Sequence, residues 1–224
     1  MKHLLEIDSV QKAFDNKPII TDAYLKCETG DIIGLLGRNG SGKSTLLKII
    51  FGILSADFKF VRIDGIVRNT TSDLLREVSY LSQDNFIPGN FTVRKAIALS
   101  IPVSEQTHFQ RDPMIEKIWN NKISNLSGGE LRYLEIKLVL CNPSNFVLLD
   151  EPYNGLTPVM IEKVNGLILA HAQRRGIIIT DHNYENVLKI STRLILMKEG
   201  KAHHLKGRHE LVDKGYLNSE MLRD

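Results

Sequence analysis

The sequence predicts an α/β protein built around a parallel β-sheet, and three observations lead to this fold class. Short, continuously apolar runs at residues 32–36, 146–149, 177–180 and 194–197 are typical of strands covered on both faces. In the last quarter of the chain strand and helix patterns alternate, which implies a parallel α/β core. Between residues 84 and 125 prolines interrupt short helical patterns, which indicates a helical insert.

Composition sets the broad class of protein. The chain has 224 residues, enough for one sizeable core or for one core with a small inserted subdomain. With 42% hydrophobic and 25% charged residues it is typical of a globular protein, and its net charge of +3 weakly favours an anionic partner. Cys27 and Cys141 lack metal-ligand spacing, and neither a secretion signal nor a membrane-spanning run is present. We therefore expect a reduced, cytoplasmic protein.

The N-terminal half begins with strands and contains one strong helix signal. We predict strands over residues 4–10, 19–27, 32–36, 58–63 and 78–81, and a helix over 43–51. The helix has Leu46, Leu47 and Ile50 on one face and ends at Gly52. Asp64-Gly65 after an alternating run predicts a hairpin.

The second half holds the insert and then returns to the core. We predict one domain over residues 1–224, with a helical subdomain inserted at 84–135. Within the insert, helical patterns cover residues 93–99 and 114–119. The remaining predicted elements are helices over 129–140 and 159–174 and strands over 146–149, 177–180 and 194–197.

The segment GRNGSGKST at residues 37–45 predicts a phosphate site between a strand and a helix. It matches G-x-x-x-x-G-K-[ST], in which glycines let successive N–H groups face phosphate oxygens at the positive end of a helix. Lys43 would contact the β- and γ-phosphates, and the Ser44 hydroxyl would bind Mg²⁺. The predicted nucleotide-binding residues are Gly37, Arg38, Asn39, Gly40, Ser41, Gly42, Lys43, Ser44 and Thr45.

Two adjacent carboxylates follow the apolar run at 146–149. Neighbouring strand residues point to opposite sides, so Asp150 and Glu151 have different roles. Asp150 would hold Mg²⁺ through water, and Glu151 would orient and deprotonate the attacking water. The simpler interpretation is a turn cap, which Lys43 elsewhere in the chain makes less attractive. ATP and Mg²⁺ are therefore the expected ligands.

Two further polar residues follow strands at the same predicted edge of the sheet. His182 comes after the strand at 177–180, in a position that mirrors Glu151, and we expect it to contact the γ-phosphate. Gln83 follows the strand at 78–81 and begins the insert, where its amide suits a weak Mg²⁺ contact.

The segment LSGGE at residues 126–130 predicts a second anion-binding helix start. One chain that binds one nucleotide has no need of two such sites. A head-to-tail pair of chains explains both, because each ATP would lie between the 37–45 loop of one chain and the turn at residues 127–129 of the other, here called the signature turn. The residues predicted to contact the neighbour's ATP are Ser127, Gly128, Gly129 and Glu130.

In the order of these motifs the chain resembles the ATP-binding cassette (ABC) ATPase family over its whole length. The resemblance implies a P-loop NTPase core of the RecA-like type with an antiparallel β subdomain and an inserted α-helical subdomain. It also implies that Phe14 stacks on adenine, that Glu151 and His182 are the catalytic base and switch histidine, and that Gln83 senses a transport partner. The segment IITDHN at 178–183 and the tail GYLN at 215–218 are similar to the ATPase subunits of lipopolysaccharide-export and branched-chain amino-acid transporters.

The resemblance implies the ATPase subunit of a transporter, paired with a second copy or a paralogue. It also implies transmembrane permease subunits as partners, no nucleic acid, and a peripheral place for this chain on the cytoplasmic face of the inner or plasma membrane. A soluble assembly ATPase, as in iron–sulfur scaffolds, is the alternative. Apolar residues of the insert suit the groove for a permease's coupling helix, or form the insert's own core: Phe86, Ile87, Phe91 and Val93. One departure is Thr157, where the family usually carries aspartate.

Overall fold

A computed structural model describes residues 2–68 and 70–218 and contains one sheet of ten strands in that range, in the order β5-β4-β1-β2-β10-β9-β3-β8-β7-β6. The strands are β1 Leu4–Phe14, β2 Lys17–Glu28, β3 Ile32–Leu36, β4 Phe58–Ile63, β5 Ile66–Val67, β6 Val78–Leu81, β7 Phe146–Asp150, β8 Gly176–Thr180, β9 Arg193–Lys198 and β10 Lys201–Leu205. The helices are α1 Lys43–Phe51, α2 Thr71–Leu75, α3 Val93–Ser100, α4 Val103–Gln110, α5 Pro113–Ile118, α6 Gly128–Cys141, α7 Pro158–Ala172, α8 Tyr184–Ile190 and α9 Glu210–Asp213, with a 3₁₀ turn at Ile123–Asn125.

Half of the sheet is parallel, which confirms the predicted α/β class. Strands β9, β3, β8, β7 and β6 pair in parallel in that order. Every residue of β3, β7 and β8 is buried, as the continuous apolar runs predict. Helices α1, α6, α7 and α8 pack against this half, and the core lies between them and the strands.

The other half of the sheet is antiparallel. β1 pairs with β2 and β4, and β4 pairs with β5 through the Asp64-Gly65 turn that the sequence predicts. β10 joins the two halves, because it is antiparallel to β9 and pairs in parallel with β2 at Lys201. β1 runs beyond the predicted residue 10 because a register shift around Ser9, at φ 54°, bends the strand without ending it.

Helices α3 to α5 lie between β6 and α6 and pack around buried apolar side chains such as Ile97, Phe109 and Ile115. α4 has no counterpart in the predicted elements, since its apolar residues do not share one face and Val103 is 82% exposed. α2 is likewise unpredicted and begins at a capping box formed by Thr70 and Asp73. The insert boundaries at 84–135 stay a prediction. Across the described ranges, no helix has the length and apolar character needed to cross a bilayer.

A matched pair of glycine substitutions tests the packing beneath the site. A methyl group on Gly34 of β3 would lie 2.5 Å from Ser191 Oγ and 2.9 Å from Val187 Cγ1. We expect Gly34→Ala to lower the free energy of unfolding by about 1–3 kcal/mol through overpacking. Gly166 of α7 has open space around it, so Gly166→Ala should raise stability by up to about 1 kcal/mol. Urea titration of both variants measures this, and equal midpoints would contradict the packing.

Candidate functional site

The polar segments singled out in the sequence lie at one edge of the sheet. β3, β6, β7 and β8 are parallel neighbours, so the loop at 37–42, Gln83, Glu151 and His182 all follow strands at the same edge. The register pairs Asp150 with Thr180, which places the ends of β7 and β8 side by side. Ligands of open parallel sheets bind at this edge.

The loop at 37–42 depends on glycine where the chain folds back. Gly37 has φ 152°, and a methyl group there would lie 2.7 Å from the Met197 carbonyl oxygen. Lys43 begins α1 and is only 8% exposed; its Nζ donates to the carbonyl oxygens of Gly37 at 2.8 Å and Arg38 at 3.2 Å. Burial lowers the pKa of Lys43, while Glu151 and other nearby carboxylates oppose that shift.

A cavity of about 380 Å³ opens beside this loop. Its lining is Phe14, Ile19, Asn39, Gly40, Ser41, Gly42, Lys43, Ser44, Thr45, Gln83 and Glu151. Phe14 is 43% exposed, so a face of its ring is accessible to an aromatic base. Ile19 is an apolar wall that no sequence motif marks. Arg38 lies outside the cavity and donates from Nη2 to the Gly215 carbonyl oxygen at 3.2 Å.

Oxygen-bearing side chains converge where α1 meets the end of β7. Ser44 Oγ donates to Asp150 Oδ1 at 2.9 Å, and Gln83 Nε2 donates to Ser44 Oγ at 3.1 Å. Burial raises the pKa of Asp150, and hydrogen bonds from Ser44 and Tyr80 oppose the shift. A hydroxyl, a carboxylate and an amide fit Mg²⁺, which takes few protein ligands and keeps waters. In the described part of the chain no three His, Cys, Asp or Glu residues cluster as a transition-metal site would require.

Glu151 and His182 lie side by side at the ends of β7 and β8. His182 Nδ1 is 3.7 Å from Glu151 Oε2 and 3.5 Å from Asp181 Oδ1. Glu151 has φ 50°, an uncommon conformation for glutamate, and its N–H donates to the Thr180 carbonyl oxygen at 2.7 Å. The His182 side chain is 62% exposed, so it is accessible to a ligand from outside.

Two buried charged residues that the motifs did not mark hold this region in place. Arg132 of α6 is 3% exposed and donates to the carbonyl oxygens of Ser82 at 2.7 Å and of Asp150 and Glu151 at 2.8 Å. Asp181 accepts hydrogen bonds from the backbone N–H groups of Tyr153 at 2.9 Å and Asn183 at 2.8 Å. Arg132 and Asp181 thus fix the backbone on either side of the catalytic candidates Glu151 and His182.

The signature residues lie apart from this cavity. Ser127 caps α6 and forms a capping box in which Glu130 Oε2 accepts from Ser127 N–H at 2.9 Å and from Ser127 Oγ at 2.8 Å. That backbone hydrogen bond is the main cause of the lowered pKa of Glu130. Ser127 and Gly128 are exposed, and a methyl group on Gly128 would meet no heavy atom of its own chain within 4 Å. No signature residue lines the cavity.

Removing the Arg132 guanidinium tests the support for the site. Arg132→Met leaves three carbonyl acceptors without their donor. It also leaves the buried Glu135 carboxylate, 3.7 Å from Arg132 Nη1, without its positive partner. We expect a loss of about 3–5 kcal/mol in the free energy of unfolding. Adding Glu135→Gln should recover part of that loss, because it removes the stranded charge. Denaturant unfolding checks both, with exposed Arg174→Met as the control, and a loss no larger than the control's would contradict this assignment.

Comparison with known proteins agrees with this geometry. The ABC transporter family model matches residues 20–154. The lipopolysaccharide export system ATP-binding protein LptB of Acidithiobacillus ferridurans is 28% identical over 239 aligned positions, which cover 100% of this chain and 98% of that protein. A probable ABC transporter ATP-binding protein of Azorhizobium caulinodans is 30% identical over 204 positions, covering 84% and 72%.

Solved structures show the same fold. A structure described as the ATP-binding subunit of an ABC transporter superposes with a TM-score of 0.83 at 18% identity, covering 96% of this chain and 95% of that one. A bacterial Atm1-family ABC exporter with ATP bound also gives 0.83, at 19% identity, over 96% of this chain and 40% of the exporter. The chain belongs to the ABC transporter family and is an ATP-binding subunit with ATPase activity.

Proposed function

We propose that two copies of this chain, or one copy and a paralogue, close head-to-tail on two ATP molecules and drive a transmembrane permease. The observation that supports this most is the separation of the two anion sites within one chain. The 37–45 loop lines a cavity, whereas the exposed Ser127 turn lies outside it and has no ligand role toward its own chain's cavity. A second chain in the opposite orientation brings such a turn to each cavity.

Each residue near the cavity then has a role set by its position. Phe14 stacks on adenine, Lys43 contacts the β- and γ-phosphates, and the N–H groups at the start of α1 face the phosphate oxygens. Ser44, Asp150 and Gln83 hold Mg²⁺, which when bound neutralises charge on the phosphates. Glu151 orients water and accepts its proton for in-line attack.

The neighbour and the second strand end complete the site. His182 lies beside Glu151, 3.7 Å from its carboxylate, and its exposed side chain would contact the γ-phosphate. The partner's signature turn would add the N–H groups at the start of its α6, together with the Ser127 hydroxyl. Hydrolysis removes the γ-phosphate charge that both chains contact, and the pair opens.

A groove next to Gln83 supports the permease part of the proposal. It has a volume of about 230 Å³ between α1, α2, α3 and α6. Its lining is Phe51, Leu75, Val78, Ser79, Tyr80, Phe86, Ser100, Leu138, Val139 and Asn142. Phe86 is 47% and Leu75 52% exposed, which suits an amphipathic helix of a membrane subunit. Val93 is fully buried and belongs to the insert's own core.

The names of the relatives also favour transport. LptB is a subunit of a lipopolysaccharide export system, and we propose a comparable place for this chain at the cytoplasmic face of a membrane. The alternative, a soluble assembly ATPase, uses the same nucleotide chemistry but needs no membrane partner. The two functions therefore differ in what occupies the groove.

Purification from native membranes tests the transport role. A tagged Glu151→Gln chain is trapped with ATP, extracted in mild detergent and analysed by mass spectrometry. We expect co-purifying proteins with several membrane spans. The matched control carries Leu75→Glu and Phe86→Glu as well, which block the groove and leave the cavity intact, so the same proteins should be lost. A chain that brings down only soluble partners would reject the permease role.

Glu151→Gln is expected to separate nucleotide binding from hydrolysis. Loss of the base should slow turnover at least about 100-fold while ATP still binds, so ATP should convert the variant to a dimer in analytical ultracentrifugation. Lys43→Ala serves as the control that loses ATP affinity and stays monomeric. Near-normal turnover of Glu151→Gln would overturn the assignment of the base.

A second variant tests the contact across the dimer. In the Glu151→Gln background, Gly128→Asp adds a side chain where the chain itself leaves open space. We expect ATP affinity of the monomer and the melting temperature to be unchanged and ATP-induced dimerisation to be lost, because the neighbour's phosphates would face a carboxylate. Dimerisation at the original ATP concentration would contradict a head-to-tail contact through this turn.

A further inference from the structure

The two oxygens of Asp150 have different partners. Oδ1 accepts from Ser44 Oγ at 2.9 Å and faces Gln83 Nε2 at 3.5 Å, on the side of the proposed metal. Oδ2 accepts from the hydroxyl of Tyr80 at 3.0 Å. The Asp150 side chain is fully buried, so this hydroxyl fixes which way the carboxylate is turned.

Tyr80 reaches Asp150 from a neighbouring strand. It lies on β6, where it is paired with Leu148 of β7, two residues before Asp150. Its ring packs against Phe51 of α1, with centroids 5.3 Å apart and an interplanar angle of 36°. The ring position is therefore set by α1 and β6, and the hydroxyl contacts a residue of a third element.

Tyr80 is also among the residues that line the groove we assign to the permease. Phe51, which packs against the Tyr80 ring, lines it too, as do Leu75 and Phe86. One residue thus belongs to the groove lining and has its hydroxyl on the carboxylate that would hold Mg²⁺. This contact is independent of Gln83, which reaches the same site from the loop after β6.

We propose that Tyr80 is a positioning residue that orients Asp150 toward the metal and transmits occupancy of the groove to the metal site. The groove's assignment rests on the proposed function, whereas the orientation of Asp150 rests only on the contacts within this chain. A tyrosine that merely satisfied a buried carboxylate would affect stability and leave metal affinity unchanged. The two roles therefore differ in a quantity that can be measured without hydrolysis.

The first test measures Mn²⁺ in place of Mg²⁺. The free ion is counted by electron paramagnetic resonance during titration of the intact chain saturated with a non-hydrolysable ATP analogue. Tyr80→Phe should weaken Mn²⁺ affinity about tenfold, as loss of an outer partner of a metal ligand does. Analogue affinity in EDTA should stay unchanged. Tyr24→Phe, on an exposed tyrosine of β2, is the matched control and should match the parent chain.

A combined variant shows whether the effect passes through Asp150. In an Asp150→Asn background, Tyr80→Phe should have no further effect on Mn²⁺ affinity, because the carboxylate it orients is gone. Three outcomes would each overturn the positioning role. They are an unchanged Mn²⁺ affinity in Tyr80→Phe, an equal loss of analogue affinity with and without metal, and additive effects on Mn²⁺ affinity in the double variant.

The second test places an artificial occupant in the groove. Leu75→Cys is made in a Cys141→Ala chain, where Cys27 is buried, and is labelled with a bulky maleimide. The label should change Mn²⁺ affinity by about threefold or more when Tyr80 is present, and leave it unchanged in the Tyr80→Phe chain. No change in either chain, or an equal change in both, would overturn the transmission through Tyr80. Both tests use the isolated chain, so their failure is distinct from a failure to recover permease partners.

Discussion

Parallel pairing of β6, β7, β8 and β3 is the constraint on which the site depends. Every residue of β3, β7 and β8 is buried, so their polar neighbours in sequence gain access to ligand only where the strands end. The register then decides which of those ends are adjacent, and it places Asp150 beside Thr180. The loop at 37–42, the two carboxylates and His182 are distant in sequence, yet they come together because their strands are parallel neighbours.

Helix α6 is the second organising element, because it connects three features that are distant in the sequence. Its first residues form the signature turn, and Arg132 in its second turn donates to the carbonyl oxygens of Asp150 and Glu151. One turn later, Glu135 accepts from the N–H of Phe86 at 2.8 Å, in the segment after Gln83. In the proposed head-to-tail pair, a contact on the signature turn would therefore act on the same helix that holds the end of β7 and the segment after Gln83. Burial lowers the pKa of Arg132 and raises that of Glu135, because both charges lose hydration inside the protein. This desolvation opposes the attraction between them, so we assign the pair a structural role as a link between elements.

Sequence motifs marked the residues that we propose to contact the ligand, but they did not mark the residues that form hydrogen bonds to those residues. Lys43, Ser44 and Asp150 are marked by local sequence, since their chemistry requires fixed residue types at fixed spacing. Tyr80, Arg132 and Asp181 act through hydrogen bonds to carbonyl, N–H or carboxylate groups of other elements, and such partners leave no spacing in the sequence. Charge within the predicted helix at 129–140 does not single out Arg132, because that helix also contains Glu130, Glu135 and Lys137. The strands were predictable because burial on both faces needs continuous apolar runs, whereas α4 was missed because its apolar residues share no face.

Thr157 stands where the family usually carries aspartate, and it retains one property of that aspartate while lacking another. It caps α7, where its hydroxyl accepts from the N–H of Met160, so the local task of an aspartate at a helix start is retained. The loop before it also keeps its place against the signature turn, since a methyl group on Gly129 would lie 3.1 Å from the Gly155 carbonyl oxygen. What threonine lacks is a charge to present to a neighbouring chain. In a head-to-tail pair the departure would therefore alter the electrostatics between the two sites and leave the fold of each chain intact.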